Sequence, residues 1–150
     1  MKASNVDQLI ERIPRKKVVV GVIGMGYVGL PLVLRFCEEG FQILGFDVDS
    51  KKVAQLKKGR SYLKSIPSSR ISQFLRSGHL DVTDDFSRLV EPDCIVICVP
   101  TPLTEKMEPD LQYIEKTTEA IRDHLRKGQL IVLESTSYPG TTEELILPQL

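Results

Sequence analysis

The sequence has no excess of charge of either sign, because 20 lysine and arginine residues are matched by 20 aspartate and glutamate residues. A neutral chain has no net field to attract nucleic acid or an anionic membrane, so we expect neither as a partner. Long hydrophobic runs are also missing. The longest, Val18 to Ile23, is far too short for a bilayer span, and Met1 to Arg12 is too polar for a signal peptide. We therefore expect a cytoplasmic protein.

Cysteine is scarce, with only Cys37, Cys94 and Cys98 in the chain. The spacing of the last two fits neither a CxxC redox pair nor the paired CxxC pattern of a zinc site. Four positions apart in a strand, they lie on one face and are typical of small apolar core residues. We expect no metal site and no reactive thiol pair.

What the sequence does contain is the composition of one ordinary globular domain, with 150 residues, 41% of them hydrophobic and 27% charged. Ser4 to Ile13 has the apolar spacing of a short amphipathic helix with Ser4 as N-cap. We interpret residues 1–16 as a helical extension and residues 17–150 as the domain itself.

Apolar strand patterns alternate with helical ones along this domain. The predicted strands are Lys17 to Ile23, Phe41 to Phe46, Leu80 to Thr83, Cys94 to Val99 and Leu130 to Glu134. The predicted helices run from Tyr27 to Gly40, from Asp49 or Ser50 to Gly59, from Ser68 or Ser69 to Gly78, from Asp110 to Leu125, and onward from Thr141, where Glu144 completes a capping box. This order predicts an α/β fold of Rossmann type, a doubly wound parallel sheet with helices on both faces.

A glycine pattern, Gly24-Met25-Gly26-Tyr27-Val28-Gly29, separates the first strand from the first helix of the domain. In that context the first glycine permits a tight turn, the second lets backbone approach a pyrophosphate, and the third lets the helix pack closely on the strand. The free N–H groups and the positive dipole end of the helix then point at the phosphates.

Asp47 follows the glycine pattern by about 20 residues and ends the second strand, as expected of an acid that binds an adenosine ribose. A 2′-phosphate would meet its negative charge, so the sequence favours NAD over NADP. Lys51 and Lys52 weaken that preference, because either could reach a phosphate. A purely structural interpretation also stands, in which the glycines serve packing and the acid caps a helix.

Ligands of open α/β sheets bind outside the carboxyl ends of the strands. In this chain those ends are Gly24, Asp47, Val99 to Thr101 and Glu134 to Thr136. We predict that Val99, Thr101 and Thr136 face the ligand. The alternative is that the prolines here only stop strands and that the hydroxyls only satisfy turn backbone.

Four segments go beyond a generic Rossmann pattern. GVIGMGYVGLPL at 21–32, GFDVD at 45–49, CVPTPL at 98–103 and ESTSYPGTTEE at 134–144 resemble the UDP-glucose/GDP-mannose dehydrogenase family. Within it, GRSYLKSIP at 59–67 and DFSRL at 85–89 look most like the bacterial branch that acts on UDP-N-acetylglucosamine.

The resemblance implies an enzyme of polysaccharide biosynthesis, a homo-oligomer, that oxidises the C6 alcohol of a UDP-sugar substrate to a carboxylate by two hydride transfers to NAD. The implied contacts to NAD are those of Gly24, Met25, Gly26, Tyr27, Val28, Asp47, Lys52, Thr101 and Thr136. Thr136 is also implied as a catalytic residue that orders a water or the substrate.

The family's nucleophilic cysteine and its helpers match no position of this chain. We therefore expect the cofactor-binding portion of a larger enzyme, which binds NAD without turnover. Two alternatives remain open: a nucleotide-sensing or protein-interaction module without redox chemistry, and an NAD-dependent dehydrogenase of hydroxy acids. A partner protein covering the edge that carries Thr101 and Thr136 would favour the first, whereas an enzyme would have these residues face the nicotinamide end of bound NAD.

Overall fold

The computed structural model describes residues 4–105 and 107–150. In these residues five strands form one parallel sheet in the order β3-β2-β1-β4-β5. The strands are β1 Val19–Ile23, β2 Gln42–Phe46, β3 Leu80–Thr83, β4 Cys94–Ile97 and β5 Leu130–Leu133. The chain steps outward from β1 to β3 and then crosses to the other side of β1. The order therefore reverses between β1 and β4, where open α/β sheets form a crevice at the carboxyl ends of the strands.

Helices cover both faces of this sheet, which confirms the predicted fold class. They are α1 Asn5–Arg12, α2 Gly29–Glu38, α3 Ser50–Lys57, α4 Ser68–Arg76 and α5 Gln112–His124, with short 3-10 helices at Phe86–Val90 and Leu147–Gln149 and a π-helical turn at Thr142–Ile146. No helix within the described ranges has both the length and the apolar character needed to cross a bilayer.

Alternate residues of the central strands belong to two separate hydrophobic cores, because successive side chains of a strand point to opposite faces of the sheet. In β4, Cys94 and Val96 join the core under α2, α3 and α4, whereas Ile95 and Ile97 join the core under α5. Cys98 lies in the same core as Cys94, so the prediction that these two cysteines are buried on one face is confirmed.

The N-terminal helix α1 is fastened to the sheet at one end. Ser4 caps it as predicted, since its hydroxyl accepts from the Asp7 N–H at 3.2 Å while the Asp7 carboxylate accepts from the Ser4 N–H at 3.0 Å. At the other end the Arg12 guanidinium donates to both carboxylate oxygens of Asp93, at 3.1 and 2.8 Å. Asp93 precedes β4, so α1 is anchored at the amino ends of the central strands.

The predicted capping box at Thr141 and Glu144 is wrong. The Thr141 hydroxyl donates to the Tyr138 carbonyl at 2.7 Å and makes no capping bond. The N–H groups of Glu143 and Glu144 instead donate to the Gly140 carbonyl, at 2.9 and 2.8 Å. The physical reason is the turn at Gly140, whose φ of +98° directs a backbone carbonyl toward the amides that the threonine would have capped.

Candidate functional site

The three glycines of the turn after β1 have different surroundings. Gly24 has φ +94°, and a Cβ there would lie 2.5 Å from the Cys98 carbonyl oxygen. A Cβ on Gly29 would lie 1.8 Å from the Gly24 carbonyl oxygen. Gly26 differs, because a Cβ there would meet no atom of the described residues within 4 Å. Two glycines thus permit the turn and the packing of α2, and the third leaves open space in front of the backbone.

Asp47 ends β2 with its carboxylate turned toward this glycine turn. Its Oδ2 accepts from the Met25 N–H at 2.9 Å, and its Oδ1 accepts from the Asp49 N–H at 2.9 Å. Lys52 Nζ lies 3.7 Å from Oδ2. The residue is only 6% exposed. A carboxylate offers about four lone-pair sites, so two backbone amides hold it in place while acceptor capacity remains for the hydroxyls of a ligand.

A cleft of about 900 Å³ opens in front of the glycine turn and the Asp47 carboxylate. Its size is that of a pocket for a small molecule or cofactor, and most of its wall is apolar. It is lined by Ile23, Gly24, Gly26, Tyr27, Val28, Asp47, Val48, Asp49, Lys52, Tyr62, Leu63, Phe86, Cys98, Val99, Pro100, Tyr113, Lys116, Thr117 and Ala120. The wall therefore comes mainly from the ends of β1, β2 and β4 and from one face of α5, and it is completed by Lys52 of α3, by the loop residues Tyr62 and Leu63, and by Phe86.

The cleft brings together most of the predicted cofactor residues. Those in its wall are Gly24, Gly26, Tyr27, Val28, Asp47, Lys52 and Val99. Met25 is not in the wall, because its side chain is fully buried in the core. Its backbone N–H is bound to the Asp47 carboxylate. Thr101 and Thr136 are not in the wall, and Thr136 is exposed to solvent. Their role toward a ligand stays a prediction.

The ends of β4 and β5, where Thr101 and Thr136 follow, are tied to each other. The Ser135 hydroxyl donates to the Val99 carbonyl at 2.8 Å, and the Glu134 N–H donates to the Ile97 carbonyl at 2.9 Å. These bonds extend the register of the two strands beyond their last ladder pair. They hold the segment that carries Thr136 beside Val99, which lies in the cleft wall.

Sequence reasoning missed the contribution of α5 to the cleft. Tyr113, Lys116, Thr117 and Ala120 have the i, i+3, i+4, i+7 spacing of one helix face and line the outer wall together. The amphipathic pattern predicted the helix. It could not reveal this role, because the cleft-facing stripe adjoins the buried stripe of Ile114, Thr118 and Ile121.

Tyr62 was also missed, although it lies in a segment that carries the family resemblance. Its hydroxyl donates to the Met25 carbonyl within the glycine turn. Burial raises the pKa of this phenol, and the negative charges of Asp47 and Asp49 raise it further. The group therefore stays protonated at neutral pH and remains a donor.

The strand order, the glycine turn and the fixed acid at the end of β2 together define a dinucleotide-binding domain of Rossmann type. Comparison with known proteins narrows the class. The family model described as "UDP-glucose/GDP-mannose dehydrogenase family, NAD binding domain" matches residues 18–150. The chain therefore belongs to this family and forms its NAD-binding domain.

Individual relatives agree with this assignment. UDP-N-acetyl-D-glucosamine 6-dehydrogenase of Pseudomonas aeruginosa is 34% identical over 135 residues, which are 90% of this chain and 31% of that protein. UDP-N-acetyl-D-mannosamine dehydrogenase of Pyrococcus horikoshii is 33% identical over 127 residues, 84% of this chain and 30% of that protein.

Among solved structures, NDP-N-acetyl-D-galactosaminuronic acid dehydrogenase from Methanosarcina mazei superposes with a TM-score of 0.82 at 30% identity. The match covers 97% of this chain and 33% of that one. The chain thus spans about a third of the length of the proteins it matches.

Proposed function

We propose that this chain is the cofactor-binding part of an NAD-dependent dehydrogenase that oxidises the C6 alcohol of UDP-N-acetylglucosamine to a carboxylate. The single observation that carries cofactor binding is the Asp47 carboxylate held by the Met25 amide at 2.9 Å, beside the open backbone of Gly26. The choice of sugar has a separate basis. It comes from the likeness of residues 59–67 and 85–89 to the UDP-N-acetylglucosamine branch, while relatives that act on UDP-N-acetyl-D-mannosamine are about equally similar.

The residues present fit the adenosine diphosphate half of NAD. The open backbone at Gly26 and the first turn of α2 offer N–H groups and a positive dipole end to the pyrophosphate. Asp47 accepts from the hydroxyls of the adenosine ribose. A 2′-phosphate would be placed against this carboxylate, so NAD binds better than NADP. Lys52, 3.7 Å from Asp47, offsets part of that repulsion.

When bound, NAD supplies the hydride acceptor, and complete oxidation of the alcohol to the acid consumes two NAD. We assign the nicotinamide side of the site to Val99, Thr101 and Thr136, at the ends of β4 and β5. Thr136 orders a water or the sugar beside the reacting centre. The bond between Ser135 and Val99, at 2.8 Å, supports this placement because it keeps that segment at the cleft edge.

The cysteines of this chain do not supply the nucleophile. Cys37, Cys94 and Cys98 are all buried in one core of the domain. Burial raises the pKa of Cys98 to about 11, with a further contribution from Glu134. A protonated, enclosed thiol cannot attack an aldehyde. The isolated chain is therefore competent to bind NAD and inactive in turnover. We place the complete enzyme in the cytoplasm as a homo-oligomer, and three buried free cysteines accord with a reducing compartment.

Calorimetry on the chain tests this proposal. NAD and ADP-ribose should bind with similar affinity, since the adenosine diphosphate half makes the contacts, and NADP should bind more weakly. Absence of binding by NAD and ADP-ribose at millimolar concentration would contradict cofactor binding. Steady production of NADH from UDP-N-acetylglucosamine by the isolated chain would contradict the assignment of turnover to residues outside it.

A further inference from the structure

Tyr62 lies in the loop between α3 and α4, at the rim of the cleft. The loop is held at several points. The Ser61 N–H donates to the Ser68 hydroxyl at 2.9 Å, the Ser61 hydroxyl donates to the Leu63 carbonyl at 3.0 Å, and Leu63 is buried in the core. The position of Tyr62 is therefore set by its neighbours, and its side chain reaches across to the glycine turn.

The Met25 residue of that turn is held on both sides of its Cα. Its N–H donates to Asp47 Oδ2 at 2.9 Å, and its carbonyl accepts from the Tyr62 hydroxyl. That carbonyl and the Gly26 N–H belong to one peptide unit. No peptide bond in the described ranges is cis, so the two groups point in opposite directions in one plane. A bond that fixes the carbonyl also fixes the direction of the Gly26 N–H.

We propose that Tyr62 is a positioning residue for the cofactor, which aims the Gly26 N–H at the pyrophosphate by holding the Met25 carbonyl on the other side of the same peptide. This inference rests on the proposed binding of NAD. A hydrogen bond to the carbonyl also polarises the peptide and makes its N–H a stronger donor. A Cβ on Gly26 would meet no atom of the described residues within 4 Å, so a ligand has room there. In a trans peptide the N–H points away from the carbonyl, so the Tyr62 hydroxyl and a pyrophosphate approach opposite edges of the same peptide unit.

The test is the variant Tyr62→Phe, which keeps the ring and removes the hydroxyl. Calorimetry compares ADP-ribose, which has the pyrophosphate, with adenosine, which has the ribose and base but no phosphate. We expect the affinity for ADP-ribose to fall about three- to tenfold, the usual effect of one hydrogen bond, and the affinity for adenosine to stay unchanged. The matched control is Tyr138→Phe, since Tyr138 lies outside the cleft wall. It should leave both affinities unchanged.

A second measurement needs no ligand. In ¹⁵N-labelled protein the Gly26 amide resonance should move upfield in Tyr62→Phe and stay in place in Tyr138→Phe, because only the first loses the bond to the preceding carbonyl. An unmoved Gly26 resonance would overturn the inference, as would equal losses for ADP-ribose and adenosine.

The same experiments separate this inference from the function on which it rests. Unchanged ADP-ribose affinity in Tyr62→Phe, with normal binding by the wild type, overturns the role of Tyr62 alone. Failure of the wild type to bind either nucleotide overturns the proposed function as well.

Discussion

Asp47 and Met25, 22 positions apart in sequence, are joined by a hydrogen bond of 2.9 Å from the Met25 N–H to a carboxylate oxygen of Asp47, a residue that is almost inaccessible to solvent. The bond exists because β1 and β2 are parallel neighbours whose paired ends place Ile23 opposite Phe46. It turns the acid toward the glycine turn, and Asp47 does not cap the helix that follows it. Asp49, two residues on, caps that helix by accepting from the N–H groups of Lys51 and Lys52.

Replacing Asp47 by asparagine should lower both the stability of the fold and the affinity for the ligand. An asparagine side chain has one carbonyl oxygen, so it cannot accept from both the Met25 and the Asp49 amides. We expect a loss of about 1–3 kcal/mol in the free energy of unfolding, measured by urea titration. Loss of a charged acceptor should also reduce ADP-ribose affinity at least about tenfold.

Asp81→Asn is the control, since Asp81 is exposed and lies outside the cleft wall. Equal ADP-ribose affinity in the two variants would contradict the role of Asp47.

The glycines of the turn should separate ligand binding from folding. Gly26→Ala places its methyl group in open space, so its unfolding free energy should stay within about 1 kcal/mol of wild type. ADP-ribose binding should nevertheless fall at least about tenfold, because the methyl group occupies the space of the pyrophosphate. Gly29→Ala should cost about 3 kcal/mol or more, because its Cβ would overlap the Gly24 carbonyl. Thermal unfolding measures the stability of the two variants, and calorimetry measures their affinity for ADP-ribose. Binding by Gly26→Ala as tight as that of the wild type would contradict the placement of the pyrophosphate at this turn.

The Asp93 carboxylate should make stability dependent on acidic pH. Burial alone would raise its pKa, but hydrogen bonds from Arg12, from the Val19 N–H and from Arg126 bring the pKa below its usual value. A lowered folded-state pKa stabilises the protein above the unfolded-state value of about 4, and this contribution disappears as the pH falls through the folded-state value.

Urea unfolding of wild type and Asp93→Asn measures this contribution. The difference between them should be about 1–3 kcal/mol at pH 7 and should shrink below about pH 4. Asp123→Asn removes an exposed carboxylate, 63% accessible, and should change stability by less than about 1 kcal/mol. A difference for Asp93→Asn that is constant from pH 7 to pH 3 would contradict this account.

The three cysteines should be unreactive while the chain is folded. Burial raises the pKa of Cys37 to about 12, with Glu38 adding to the effect, and that of Cys98 to about 11. Burial likewise raises the pKa of Cys94. Less than about 1% of either Cys37 or Cys98 is thiolate at pH 8. A thiol reagent at that pH should label none of the three in native protein and all three in concentrated guanidinium chloride. Rapid labelling of Cys98 in the native protein would contradict this prediction and make Cys98 a candidate nucleophile.

Several features could be read from the sequence because each depends on neighbouring residues. A valine-rich run predicts a strand buried on both faces, and Val20 and Val22 do enter one core while Ile23 enters the other. A glycine with positive φ marks a turn, as at Gly24. The misprediction at Thr141 has the opposite cause. The capping pattern is present, but the Gly140 carbonyl of the preceding turn accepts from the amides that the Thr141 hydroxyl was expected to cap.

The sequence by itself determined the alternation of strands and helices, the glycine turn and the acid at the end of β2, since burial periodicity and backbone geometry act over a few residues. Only the tertiary structure decided which distant groups meet. The Tyr62 hydroxyl reaches Met25 across 37 positions, and Asp93 joins Arg12 and Arg126 across 81 and 33 positions. These contacts depend on strand order and register, which are set by the packing of the whole sheet. A local sequence pattern therefore cannot predict them.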